Sequence, residues 1–220
     1  MPRVTWVRRY DMADPVERAT GLDVAGSAVR RGDLVVLPTD TVYGLGTDAF
    51  SPDAVAKLLE TKGRGRDMPV PVLVGSPRTL DGIATRLTDS ARSLVEAFWP
   101  GGLTLVCAVQ PTLQWDLGET RGTVAVRMPL HPVAIELLTA TGPMAVSSAN
   151  RSGVAPATTL DEAIEQLGNG VSVYLDGGAS GEPVPSTIVD VTGDVPRLLR
   201  AGAVTEEALR EVCGDLVAEP

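Results

Sequence analysis

A chain of 220 residues, 44% apolar and 21% charged, is long enough for one sizeable core and has the balance of an ordinary globular protein. Its formal charge of −9 argues against non-specific nucleic-acid binding, which needs surplus cation to neutralise phosphates. With two cysteines, no leader-like core after Met1-Pro2-Arg3-Val4 and no apolar run of membrane-spanning length, the expectation is a reducing, cytoplasmic setting without a membrane.

Pro15 to Arg31 reads as a helix ended by Gly32, and Leu34 to Leu37 as a strand. Ser51-Pro52-Asp53 is a helix start, with a hydroxyl cap, a proline in the first turn and then an acid; that helix runs to about Thr61. Val70 to Val74 is a strand candidate, and Pro69 and Pro71 place it at a sheet edge or mark its start. Thr88 to Phe98 is an amphipathic helix stopped by Pro100-Gly101-Gly102, followed by strands at 103–109 and 123–127. Pro132 to Thr139 is helical, with His131 opening it, and Met144 to Ser147 is a short strand. A helix over 160–167, strands at 171–175, 187–191 and 197–200, and a helix over 205–212 complete the pattern. Helices and strands interleave, and some strands follow one another directly, so the expected class is α/β: an open, twisted mixed sheet flanked by helices. One domain spanning 1–220 is the simplest division, with its core at about 20–203 and a short C-terminal helix and tail.

Chemistry-bearing residues gather in strand-end segments. Pro38-Thr39-Asp40-Thr41-Val42-Tyr43-Gly44-Leu45-Gly46 packs hydroxyls, a carboxylate and a phenol into a polar turn after an apolar run. Lys62-Gly63-Arg64, with Arg66 beyond, puts fixed cations beside glycines that let a ligand approach the backbone. Ser147-Ser148-Ala149-Asn150 and Pro185-Ser186-Thr187 supply small donors and acceptors, while Arg127 and Arg200 end apolar stretches. In open α/β sheets ligands collect at strand ends, so segments 38–46, 147–153 and 185–200 are expected to share a site. Gly44 to Ala49 fits a loose dinucleotide fingerprint, but Ser51, not a glycine, opens the next helix, which makes a nicotinamide-dependent oxidoreductase the weakest reading. No phosphate loop, zinc-ligand set or Gly-x-Ser-x-Gly elbow occurs, and Cys107 reads as a core thiol. An enzyme built this way works by positioning and charge neutralisation, with the nucleophile arriving in the substrate.

Taken as an ordered set, Pro38 to Gly46, Lys62-Gly63-Arg64, Phe98-Trp99-Pro100-Gly101, Val124 to Pro129, Ser148 to Gly153, and Pro185 to Asp190 with Arg200 resemble the threonylcarbamoyl-AMP synthase family, in its single-domain YrdC-like form. The resemblance implies a YrdC/DHBP-synthase-like open mixed sheet. It also implies a nucleotidyltransferase that makes threonylcarbamoyl-AMP and pyrophosphate from ATP, L-threonine and bicarbonate, with Mg2+ carried by ATP and none held by the protein. A downstream tRNA threonylcarbamoyl transferase complex then takes the product, and direct contact with tRNA is left open. Carried over by position, Lys62 and Arg64 are the catalytic pair. Thr39, Thr41, Tyr43, Arg127 and Ser186 bind threonine, with Arg127 on the carboxylate. Arg64, Thr123, Ser148, Asn150 and Arg200 line the ATP side. Where many members carry Asn-Pro-Leu-Ile-Val-His after the basic motif, this chain has Met68-Pro69-Val70-Pro71-Val72-Leu73. The competing readings are a non-catalytic RNA-binding module and a carbamoyl-phosphate-handling domain of the same fold.

Overall fold

The computed structural model describes residues 7–180 and 184–218; the leader reading of Met1 to Val4 falls outside them. In chain order the elements are β1 (Arg9–Asp11), α1 (Pro15–Arg30), β2 (Val35–Leu37), β3 (Gly44–Asp48), α2 (Pro52–Lys62), β4 (Val72–Leu73), α3 (Thr79–Ile83) and β5 (Ala84–Thr85). They continue with α4 (Asp89–Phe98), β6 (Leu103–Val109), β7 (Thr123–Arg127), α5 (Pro132–Thr141), β8 (Met144–Ser148) and α6 (Leu160–Leu167). A 3-10 turn (Gly168–Gly170), β9 (Val173–Asp176), β10 (Thr187–Asp190), β11 (Arg197–Arg200), α7 (Glu206–Cys213) and β12 (Val217–Ala218) complete the described chain.

The strands form one mixed sheet in the order β1-β9-β2-β3-β8-β4-β7-β6-β10-β11-β12, with β5 added beside β6. The expected class is therefore the observed one. The helix starts follow their caps: Ser51 accepts from the Ala54 N–H at the head of α2, and Thr159 and Glu162 form a capping box on α6. His131 stands at the head of α5, as its sequence implies, but makes no side-chain cap bond.

One expectation needs correction. Gly44 to Asp48 is not part of a polar turn. It is strand β3, antiparallel to both β2 and β8. Its glycines make room for neighbours: a Cβ on Gly44 would lie 2.8 Å from Val146 Cγ1, and one on Gly46 would lie 2.9 Å from Met144 Cε. Of the two placings the prolines allowed β4, the structure takes the strand start and not the edge, since β4 lies between β7 and β8. Pro69 and Pro71 do sit at its start, and the Pro71 carbonyl still accepts from the Val146 N–H at 2.9 Å.

The sheet has an apolar layer on each side. On one, Leu45, Val72, Leu105 and Val126 meet α2, α4, α6 and α7 through residues such as Leu58, Leu94, Leu160 and Leu209. Cys107 is buried in this layer, which pushes its thiol up to about 12. On the other, Val35, Leu37, Leu73, Met144 and Val146 meet α1 and α5 through Ala25, Val29, Val133 and Leu137. That second layer draws its strand residues from β2, β4, β8 and β9. Side chains alternate along a strand, so β6, β7 and β10 turn Val106, Ala108, Thr123, Ala125 and Ile188 to the same side, and these are only half-buried. Among the described residues, α1 and α5 thus pack over β2, β4, β8 and β9 and leave β6, β7 and β10 as a half-buried sheet floor.

Candidate active site

Arg127 stands at the C-terminal end of β7 and faces this floor. It is 6% exposed. Its Nε donates to the Gly101 carbonyl at 2.9 Å, Nη1 to Thr41 Oγ1 at 2.9 Å, and Nη2 to Asp40 Oδ1 at 2.7 Å. The β2–β3 loop, which carries Asp40 and Thr41, therefore reaches past β8 and β4 to β7. Thr39 donates to the Val42 carbonyl at 2.6 Å and lies 3.2 Å from Thr41 Oγ1, which holds the loop in shape. Burial lowers the Arg127 pKa, and Asp40 opposes that shift. A guanidinium carries five N–H donors. The three bonds to protein leave Arg127 with two N–H groups for a ligand.

Ser186 and Arg200 join the same end of the floor. Ser186 Oγ lies 2.8 Å from Thr104 Oγ1, and Thr104 precedes Leu105, the partner of Val126, so it shares Arg127's side of the sheet. A bulge in the β10–β11 register pairs Ile188 with Arg200 and thereby turns the arginine to this side. Arg200 Nη2 donates to the Ser186 carbonyl at 2.7 Å and to Ser186 Oγ at 3.0 Å. The two cations are near enough for Arg200 to lower the Arg127 pKa, after burial. Burial alone lowers that of Arg200.

The other end of the floor is built around Lys62 at the end of α2. It is 3% exposed. Its Nζ donates to the Ser148 carbonyl at 2.5 Å, the Asn150 carbonyl at 2.7 Å and Asn150 Oδ1 at 3.4 Å. Burial, with Arg64 adding like charge, pushes the Lys62 pKa down to about 8. Gly63 caps α2 in the left-handed conformation and turns the chain so that Arg64 Nη1 reaches Ser147 Oγ at 3.1 Å and Nη2 the Pro69 carbonyl at 3.4 Å. Arg64 Nε is buried and has no hydrogen-bond partner among the described residues. Burial lowers the Arg64 pKa.

Sheet register ties these ends together. Val72 pairs with both Val126 and Ala145, so Pro69 lies level with Thr123 and Ser148. Thr123 and Arg127 are four residues apart on one face of β7, about 13 Å at 3.3 Å per residue. Thr123 and Ser148 thus lie at one end of the floor, where Lys62 and Arg64 reach the end of β8 from the α2 side through the Ser148 carbonyl and Ser147 Oγ, and Thr39, Thr41, Arg127, Ser186 and Arg200 gather at the other end.

Tyr43 and Asn150 are placed otherwise. The Tyr43 phenol is fully buried; it donates to the Gly178 carbonyl at 2.5 Å and accepts from the Gly177 N–H at 3.0 Å, and burial pushes it up to about 12. Asn150 spends its amide on the Arg151 and Val154 carbonyls, at 2.9 and 2.6 Å. Both turn their polar atoms into the protein. Asp40, which the sequence reading left without a role, is the counter-charge of Arg127, at 2.7 Å. Nothing in its local sequence marks it, since its partner is 87 residues away.

No cluster of three or more His, Cys, Asp or Glu that could hold a metal ion occurs among the described residues. The groups around the floor are mainly cations and hydroxyls, with Asp40 paired to Arg127, and such cations and hydroxyls suit anionic oxygen. No helix among the described residues is long and apolar enough to cross a membrane.

A sheet floor with basic and hydroxyl groups at its ends suits ligands with anionic oxygens. The profile of the Sua5/YciO/YrdC family, described as telomere recombination, matches residues 27–202, and the chain belongs to that family. It is 58% identical over 205 residues to a Mycobacterium tuberculosis protein provisionally named threonylcarbamoyl-AMP synthase, covering 93% of this chain and 94% of that one. It is 37% identical over 194 residues to the threonylcarbamoyl-AMP synthase of Bacillus subtilis, covering 87% of this chain and 56% of that one. The crystal structure of P. abyssi Sua5 complexed with L-threonine superposes with a TM-score of 0.90 at 34% identity, covering 98% of this chain and 63% of that one. The chain thus spans nearly all of the mycobacterial relative and about three fifths of the two longer proteins.

Proposed function

We propose that this chain is an L-threonylcarbamoyladenylate synthase acting as one catalytic domain. The threonine amine adds to CO2 from bicarbonate to give a carbamate. A carbamate oxygen then attacks the α-phosphorus of ATP, forming the new P–O bond as the bond to the bridging oxygen breaks and pyrophosphate leaves. The nucleophile comes with the substrate, which matches a floor without an activated protein nucleophile.

In this reading the two open N–H groups of Arg127 take the threonine carboxylate, and Thr39, Thr41 and Ser186 surround the amino acid. Thr123, Ser148, Arg64 and Arg200 line the path of the nucleotide. Arg200, bonded to Ser186, marks where the two substrates meet. Lys62 offsets the charge that builds on the transferring phosphate, at a distance set by the carbonyls that anchor it. Tyr43 and Asn150 act by holding the loops on which Thr41 and Lys62 depend. Mg2+ enters as the counterion of the triphosphate, and the site's hydroxyls and cations bind oxygens around it.

The observation that carries this reading is the convergence of Arg127, Thr104, Ser186 and Arg200 at one end of the floor, where Arg127 keeps two N–H groups for an anionic ligand. The relatives' names and the threonine complex of the P. abyssi protein point the same way. The product is a mixed anhydride, so a tRNA-modifying transferase is the expected consumer. The protein would then work in the cytoplasm. The test is pyrophosphate release with ATP, L-threonine and bicarbonate each withheld in turn. Release that needs all three supports the proposal, and release without threonine counts against it.

A further inference from the structure

The loop between β6 and β7 packs backbone to backbone against the segment that carries Arg64. The Glu119 N–H donates to the Arg66 carbonyl at 2.8 Å, and the Val70 N–H donates to the Leu117 carbonyl at 2.9 Å. Asp116 closes the contact. It accepts from Arg66 Nη2 at 2.8 and 3.0 Å, and from the Gly118 N–H at 3.2 Å. Gly118 has φ +103°, and a Cβ there would lie 2.8 Å from the Arg66 carbonyl oxygen and 3.2 Å from Pro69 Cα. Pro69 in turn gives its carbonyl to Arg64. On one side the loop is pinned by Trp115, stacked on Phe50 at 5.4 Å between ring centroids. On the other it runs into Thr123, whose N–H and Oγ1 both donate to the Thr120 carbonyl, at 3.0 and 2.8 Å.

We propose that Asp116 and Gly118 are positioning residues for the ATP side: they strap the Arg66–Pro69 segment in place and so aim Arg64. This rests on the reading above that Arg64 faces ATP. The segment from Gly63 to Met68 carries two glycines and is mostly exposed, so by itself it has wide conformational freedom. An arginine on such a segment loses binding energy in being ordered each time a nucleotide arrives, unless something fixes it beforehand. The Arg66 and Asp116 side chains are 55% and 41% exposed, so their ion pair adds little to stability. What it does is geometric: with the Gly118 backbone it links Arg64 and Thr123, two groups expected on the same nucleotide, through one short loop.

The test uses the full chain and two readouts, calorimetric titration with Mg-ATP and steady-state KM for ATP and for threonine. Asp116→Asn keeps an acceptor for the Gly118 N–H and loses the charge. It is expected to raise both the Kd and the KM for ATP by at least about threefold, with the threonine KM within about twofold and an unchanged melting midpoint. Arg66→Asp with Asp116→Arg, which restores the pair in reverse, is expected to recover ATP binding. Gly118→Ala is expected to be worse than Asp116→Asn. Should it fail to fold, the other variants still decide the matter. Normal ATP binding by Asp116→Asn beside weakened binding by Arg64→Ala overturns the strap alone. Normal binding by both overturns the reading of Arg64 as well.

Discussion

Lys62 and Asn150 are joined twice: the ammonium donates to the asparagine's backbone carbonyl at 2.7 Å and to its side-chain oxygen at 3.4 Å. The end of α2 is thereby locked to the loop after β8, and a buried positive charge is held at the rim of the floor. The proposed reaction needs that charge to be present when the triphosphate arrives.

The pH response of Lys62 follows from its lowered pKa of about 8. The folded protein releases this proton near pH 8, and the unfolded chain keeps it to about the ordinary 10.5. Between those values the unfolded state binds more protons, so this group makes stability rise with pH, while the catalytic charge is lost. kcat/KM for ATP should fall as pH climbs through about 8. Lys62→Arg, whose charge persists, should lack that fall even if its overall rate is lower. Profiles from roughly pH 6.5 to 9.5 compare the two; parallel profiles would remove Lys62 as the titrating group.

Removing the cations should be costly. Lys62→Ala and Arg64→Ala are each expected to cut turnover at least ~10-fold, since a charged contact is worth roughly 1.5–3 kcal/mol. Circular dichroism must first show that both fold. Near-normal turnover in both would show that the basic motif has no part in the reaction.

Arg127→Lys keeps a positive charge beside Asp40 but loses the planar fork. The threonine KM should rise about 10-fold or more, with the ATP KM changed by less than about twofold. Arg127→Ala should in addition lose roughly 1.5–3 kcal/mol of stability, because the charge-assisted bonds to Asp40 and Thr41 are lost. A rise in the ATP KM alone would move Arg127 to the other substrate.

Tyr43→Phe separates a structural role from a substrate contact. The Gly177 N–H and Gly178 carbonyl both lose their phenol partner, which should lower stability by about 1–3 kcal/mol in urea titration. The threonine KM of the folded protein should change by less than about twofold. A large KM effect at unchanged stability would return Tyr43 to the substrate.

The elements most legible in the sequence were those whose own residues decide their state. The apolar run of β6 and the Ser51-Pro52 start of α2 are cases in point. β3 was not legible, because Gly-Leu-Gly-Thr-Asp has little strand propensity of its own. It is a strand because β2 and β8 pair on either side and because its glycines admit Val146 and Met144. Likewise, the hydroxyl and cation types of the site could be read in order along the chain, but the direction of a side chain could not. Asn150 and Tyr43 look like ligands in the sequence, and in the structure their polar atoms bond to backbone groups of the protein, while Asp40 looks like a turn residue and pairs with Arg127. For Tyr43 and Asp40 the partners lie tens of residues away, and for Asn150 they lie in the turn that follows it, whose shape the local sequence does not announce.

The central claim is that one floor joins carbon dioxide, threonine and the adenylyl group of ATP. Incubation with ATP, L-threonine and 13C-labelled bicarbonate, followed by mass spectrometry, tests it directly. The account predicts a threonylcarbamoyl-AMP ion carrying the heavy carbon, formed in step with pyrophosphate. Pyrophosphate without that ion, or an adenylate lacking the label, would contradict it.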